Sequence, residues 1–116
     1  MLLYRYKEMK WTKMEMKKVK VRYPETLENE IVEQMIEEQG FVSVADINLH
    51  LSNVLFEILD DDELDVNRTE MNAATKDKQI NVPLETYKAL KNTAFKNGLP
   101  EIQTTLSLFS GNYTKK

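Results

Sequence analysis

The order of its chain-breaking residues constrains this protein more than any other feature. An alternating segment, Lys18, Val19, Lys20, Val21, Arg22 and Tyr23, ends at Pro24, and an amphipathic stretch then runs to Gly40, 16 positions beyond the proline. The order returns when Gln79, Ile80, Asn81 and Val82 meet Pro83 and a second amphipathic stretch reaches Gly98, 15 positions on. Proline cannot donate to a strand ladder or a helix interior, so it ends the strand and suits the first turn of the next helix. Glycine takes the left-handed conformation that commonly stops a helix. Each glycine is followed by another apolar stripe. The chain therefore reads as strand, helix, helix, written twice.

Periodicity fills in the elements. Val19, Val21 and Tyr23 point to one side of the first strand, and Lys18, Lys20 and Arg22 to the other, which is a half-buried strand with a cationic face. Leu27, Ile31, Met35 and Ile36 share a helical face, with Glu28, Glu30, Glu33, Glu37 and Glu38 mostly opposite. Ser43 and Asp46 have the spacing of a capping box and open a helix with inward Val44, Ile47, Leu51, Val54, Leu55 and Ile58. In the second copy Ile80 and Val82 alternate with Gln79 and Asn81. Leu84, Tyr87, Leu90, Ala94 and Phe95 face inward on the next helix, and Ile102, Leu106 and Phe109 on a last one that begins at Pro100 and ends at Gly111. The expected organisation is a basic arm over 1–16, a first motif over 17–59, an acidic and polar linker over 60–77, a second motif over 78–113 and a tail over 114–116. The fold class is α+β.

Composition excludes several classes of protein. With 116 residues, 41% of them hydrophobic and 30% charged, the chain has the make-up of one ordinary domain or two very small ones. No apolar run approaches the roughly 18 residues that span a bilayer. The absence of cysteine rules out disulfides and thiolate zinc sites. A cytoplasmic protein with no membrane role is expected. The net charge of -3 conceals strong segregation: residues 1–22 sum to +6, residues 23–65 to -13 with no Lys or Arg, and residues 66–116 to +4. Such a chain can present a positive face to a polyanion while being acidic overall, because local potential steers association.

In this arrangement the chain resembles the ribbon-helix-helix proteins, the superfamily of the Arc repressor. The residues that carry the likeness are the alternating strand of residues 18–24, the proline after an apolar residue, the helix to Gly40 and the capped helix from Ser43, with the second copy from Lys78 onward. The resemblance implies that two strands pair antiparallel as a two-stranded ribbon packed on four helices, and that the ribbon enters the major groove of double-stranded DNA. By that match Lys18, Lys20 and Arg22 face the bases from one strand and Gln79 and Asn81 from the other. Side-chain chemistry agrees, since Arg and Lys suit the acceptors of guanine while Asn and Gln pair bidentately with adenine. The match also places Ser43, Val44 and Leu99, at the amino ends of the second helices, near phosphates. There the second copy departs from the pattern, because Pro100 has no amide hydrogen and Glu101 is acidic.

The linker of about eighteen residues has a random-coil span of about 20–25 Å, so the two strands can meet within one chain. Internal pairing is expected and would give an asymmetric DNA site. Pairing with a second copy of the chain would give a symmetric one. Tandem copies of this fold resemble some accessory factors of conjugative plasmid transfer, and the implied function is a transcriptional repressor or a plasmid nucleoprotein accessory factor. The alternative is a protein-binding module, antitoxin-like or inhibitory, that grips a basic partner through its acidic linker and first helix. Lys18, Lys20 and Arg22 then serve as an exposed sheet face, with lysine guarding the edge against aggregation. Tyr4, Tyr6 and Trp11 in the basic arm read either as packing residues or as stacking contacts to nucleic acid.

No enzyme, cofactor, metal or small-molecule substrate is expected. His50 is the sole histidine and has no cysteine to partner it. The cluster Asp60, Asp61, Asp62, Glu63 and Asp65 fails the calcium-loop pattern, since Asp65 stands where glycine is needed and Met71 where a bidentate acid is needed.

Overall fold

Residues 15–60, 63–70 and 73–115 are described in a computed structural model. Tyr4, Tyr6, Trp11 and the rest of the expected basic arm before Glu15 lie outside the described residues, as do Asp61, Asp62 and Met71. The elements are β1 (Met16–Pro24), α1 (Glu25–Gln39), α2 (Val44–Ile58), β2 (Leu64–Val66), β3 (Thr75–Pro83), α3 (Leu84–Asn97), α4 (Glu101–Phe109) and β4 (Tyr113–Lys115). Among the described residues this is an α+β architecture with four helices and two antiparallel two-stranded sheets, β1 with β3 and β2 with β4. No single helix among them is long and apolar enough to cross a membrane.

The two prolines that end strands act as their chemistry requires. Pro24 closes β1 and is the cap of α1, and Pro83 does the same for β3 and α3. The ladder continues one residue past each: the Glu25 N–H donates to the Ala74 carbonyl at 3.0 Å, and the Leu84 N–H to the Glu15 carbonyl at 3.1 Å. β1 and β3 thus pair over their whole lengths, with Lys20 opposite Gln79 at the centre. Gly40 and Gly98 end the first helix of each pair at φ 83° and 67°, where a side chain would be strained.

The ribbon turns one side to the core. Val21, Tyr23 and Val82 are fully buried and Val19 and Ile80 nearly so, packed with Ile31, Leu51, Leu55, Leu90 and Leu108 from the helices. α2 lies mainly against β3, and α4 mainly against β1. Each second helix therefore covers the strand of the other strand-helix-helix segment. α4 makes this approach with small hydroxyl residues: Thr104, Thr105 and Ser107 are fully buried. Thr104 donates to the Pro100 carbonyl and Thr105 to the Ile102 carbonyl, so neither hydroxyl is buried without a partner.

Three residues expected to face inward are exposed: Ile36 by 50%, Val44 by 66% and Phe95 by 85%. Ile36 and Phe95 each come directly after a residue, Met35 and Ala94, that already holds the inward position in that turn. A step of about 100° carries the next side chain off the buried stripe. Residues 60–77 also differ from a plain linker. Leu64 and Val66 are buried in β2, which pairs with β4, and β3 begins at Thr75. Asn97, at the end of α3, anchors the segment by donating to the Leu64 carbonyl at 3.1 Å and accepting from the Val66 N–H at 3.0 Å. Ser107 donates to the Asn67 carbonyl and accepts from the Thr69 hydroxyl, adding a second anchor. Three-residue strands are too short to show a period, and their partner lies nearly fifty residues away. The expected tail over 114–116 likewise supplies Thr114 and Lys115 to β4.

One carboxylate sits at the edge of this core. Glu28 of α1 is 9% exposed and accepts from the Tyr23 hydroxyl at 2.7 Å and from Lys76, with Lys78 at 3.6 Å. Lys76 and Lys78 lie opposite Tyr23 and Val21, on the core-facing side of β3, so Glu28 ties α1 to the distant strand. Burial alone would raise the Glu28 pKa, but hydrogen bonds from Lys76 and Tyr23 and the charges of both lysines outweigh it and hold the carboxyl below its ordinary value. Burial and the neighbouring carboxylate push the Tyr23 phenol upward.

A depressed native pKa makes the contribution of Glu28 complete above its ordinary value of 4.5 and removes it as pH falls through the lower folded-state value. Glu28→Gln should cost about 1–2 kcal/mol near neutral pH by loss of charge-assisted hydrogen bonds. It should also reduce the stability lost on acidification. Urea unfolding at about pH 7 and about pH 3 checks both; an equal acid loss in the two proteins would show that Glu28 is not the anchor.

Candidate nucleic-acid interface

Register decides which side chains stand together. Lys18 lies opposite Asn81, Lys20 opposite Gln79 and Arg22 opposite Asp77. Directly opposed residues of an antiparallel pair project to the same side, so all five expected base-contact residues share the face turned away from the core. Lys18, Lys20, Gln79 and Asn81 are exposed, and Arg22 is half-buried. The Arg22 N–H donates to the Thr105 hydroxyl at 3.0 Å, away from β3. Arg22 and Asp77 are consequently a non-hydrogen-bonded pair, and the alternation makes the other two outward pairs the same kind. Their Cα atoms stand about 4.5 Å apart, the closer of the two spacings.

Arg22 and Asp77 use that proximity. The Arg22 Nε donates to Oδ1 of Asp77 at 2.8 Å and Nη2 to Oδ2 at 3.0 Å, a bidentate ion pair across the ribbon. The hydrogen bond to Asp77 raises the already high Arg22 pKa, and the guanidinium lowers that of the Asp77 carboxyl with help from the charge of Lys20. The face is therefore a row with two lysines, two amides and one internally neutralised pair. Asp77 has no counterpart among the expected contacts, because it falls in the stretch expected to be linker. Counting six positions back from each proline reaches Lys18 and Asp77, so proline alignment is the sequence signal that marks it.

The expected phosphate contacts fare differently. At the start of α2 the Ser43 N–H donates to Oδ2 of Asp46 and the Asp46 N–H to Oγ of Ser43, both at 3.2 Å, which completes the capping box. The Ser43 amide is thus engaged, and a carboxylate already occupies this helix end. Val44 beside it is exposed. The Leu99 N–H donates to the Ala94 carbonyl at 3.1 Å and the Gly98 N–H to the Phe95 carbonyl at 3.2 Å. These are the two bonds of a Schellman cap on α3, so the Leu99 amide is also taken.

Two open clefts flank the ribbon. One, of about 300 Å³, brings Ala45 and Asn48 of α2 beside Gln79 and Asn81, so the first turns of α2 adjoin the outward row. The other, of about 350 Å³, brings Arg68, Thr75 and Gln103 beside Arg22. Arg68 is exposed and adds a cation that periodicity did not mark, because it lies outside any regular element.

No family model, curated protein or solved structure matches this chain.

Ser43→Ala should lower the stability of the protein by about 1 kcal/mol, and Ser43→Gly by only a few tenths, since glycine tolerates the cap conformation. Thermal unfolding of the two variants checks this ranking. Equal losses would mean that the capping box is not closed in solution.

Proposed function

We propose that this protein binds double-stranded DNA sequence-specifically, as two ribbon-helix-helix motifs in one chain, with the β1–β3 ribbon reading the major groove. It acts without catalysis, as a transcriptional repressor or a plasmid nucleoprotein accessory factor in the cytoplasm. The observation that carries this reading is the outward face of the ribbon. Lys18, Lys20, Gln79 and Asn81 stand exposed in one row while Val19, Val21, Tyr23, Ile80 and Val82 on the opposite side are buried. A two-stranded ribbon fits the major groove, and these side chains match guanine and adenine edges. The crossed packing of α2 on β3 and α4 on β1 supports treating the two motifs as halves of one reader. A two-fold axis through the centre of the ribbon would exchange Lys18 with Asp77, Lys20 with Gln79 and Arg22 with Asn81, and each of these pairs differs, so the preferred site should lack two-fold symmetry. Because the amides of Ser43 and Leu99 are engaged, phosphate attraction rests chiefly on exposed lysines and Arg68.

A second reading has its own observation. Ile36, Phe41 and Val44 are 50–66% exposed around the turn from α1 to α2, beside the exposed Glu33, Glu37 and Glu38. That corner suits a basic protein partner with apolar anchors, as an antitoxin-like or inhibitory module would use.

Selection of bound sequences from random duplex DNA should return an asymmetric motif. Lys20→Ala should then weaken binding to the selected duplex about tenfold in a gel-shift assay with folding intact, and replacing a lysine that contacts phosphate should reduce the salt slope by about one. Undiminished affinity would remove the ribbon from the binding surface. Recovery of a stoichiometric basic protein, with no duplex affinity at low salt, would favour the second reading.

A further inference from the structure

Arg22 is held at both ends. Its backbone N–H is bonded to Thr105 of α4, and its guanidinium is bonded through Nε and Nη2 to both carboxylate oxygens of Asp77 on the neighbouring strand. Arg22 is the outward residue of β1 nearest Pro24, and Asp77 stands directly across from it on the same face as Lys18, Lys20, Gln79 and Asn81. An acidic residue on a surface that meets a polyanion repels it unless something neutralises the charge. Here the neutralising group is itself one of the proposed base readers.

We infer that Asp77 is a positioning residue that presents Arg22 to a single guanine, so that the Arg22–Asp77 pair contributes base discrimination without phosphate attraction. This inference rests on the reading of the ribbon as the DNA-contacting face and assigns a role within it. The guanidinium is planar and carries five N–H donors in a fixed fork. With the Nε and Nη2 edge bound to Asp77, the distal edge keeps one hydrogen on Nη1 and one on Nη2. That edge is the pair of donors that matches the O6 and N7 acceptors of guanine. An unrestrained arginine samples many rotamers and is drawn to any nearby phosphate. Asp77 limits both tendencies, since it restricts the side chain and cancels its charge. Lys18 and Lys20, with no carboxylate directly opposite them on the other strand, are left to supply the long-range attraction.

The arrangement also separates Asp77 from a stability role. The pair lies at the surface, with side chains 33% and 34% exposed, where an ion pair contributes little to folding. Asp77→Asn should therefore melt close to the unaltered protein. It retains one acceptor oxygen but loses the charge and the second carboxylate acceptor.

The experiment uses the full chain, the duplex returned by selection, and the same duplex with the guanine assigned to Arg22 replaced by each other base. The unaltered protein should discriminate at that position by about 5- to 150-fold, the range for one bidentate pair. Asp77→Asn should reduce that discrimination to about threefold or less, bind random duplex more tightly and steepen the salt slope by up to about one. Arg22→Ala should abolish discrimination at the same position, and Asp77→Asn added to Arg22→Ala should remove no more of it, because the two act as a unit. Tighter binding to the selected duplex by Asp77→Asn with base preference intact would overturn the inference, since Asp77 would then only obstruct Arg22. Unaltered preference and affinity would also overturn it and leave the pair a surface ion pair. If the unaltered protein binds no duplex, or binds all sequences alike, the functional reading beneath it fails instead.

Discussion

Pairing of β1 with β3 is the constraint on which the other contacts depend. Fifty residues separate the two strands, and each presents only two or three apolar side chains to a core. Neither strand has enough neighbours in its own half to be stable, because an isolated strand leaves a ladder of donors and acceptors open and its apolar face half wet. Joined, they form one floor of Val19, Val21, Tyr23, Ile80 and Val82 on which all four helices can rest. The helices then cross over, α2 onto β3 and α4 onto β1, so burial in either half depends on the other. Much of the edge problem is solved in the same step, with Thr105 accepting from an outer amide of β1. The topology makes folding depend on long-range contact, which slows it relative to a protein held mainly by local contacts.

Polar groups settle how the pieces are oriented. Glu28 receives bonds from Tyr23 of β1 and Lys76 of β3, so one carboxylate specifies where α1 lies over both strands. Tyr23 in turn meets Phe109 of α4 edge-on, with ring centroids 6.0 Å apart, so the same residue links the first helix to the last. Asn97 and Ser107 hold the segment that contains β2. A hydroxyl or amide buried at such a point is costly unless bonded, and that cost makes alternative placements unfavourable.

The elements themselves were largely legible. Alternation marked β1 and β3, the prolines marked their ends, Gly40 and Gly98 marked the helix stops, and Ser43 with Asp46 marked the start of α2. These signals succeed because each is a local steric or hydrogen-bonding rule that a few adjacent residues satisfy. The inward sides of both strands were likewise fixed by period two. Legibility ended where the deciding partner was remote: β2 and β4 are three residues each and exist because they meet, and the buried part of α4 includes Thr104, Thr105 and Ser107, which hydropathy does not count as core. Phe95 and Ile36 look apolar enough to be buried, yet the turn they occupy had already filled its inward position.

Local chemistry in the chain thus settled where strands and helices begin and end, and which side of each strand carries cations or amides. It also settled that the second copy is unlike the first. What lies opposite what was left to the folded protein, because antiparallel register is set by packing between segments that the sequence does not place side by side. Register put Lys20 across from Gln79 and Lys18 across from Asn81. It also brought Asp77, which reads as one more acid in a polar linker, within 2.8 Å of Arg22. The outward face accordingly carries a fixed and neutralised arginine at one end and exposed lysines along the rest. That distribution of charge arises from pairing geometry, and no window of adjacent residues contains it.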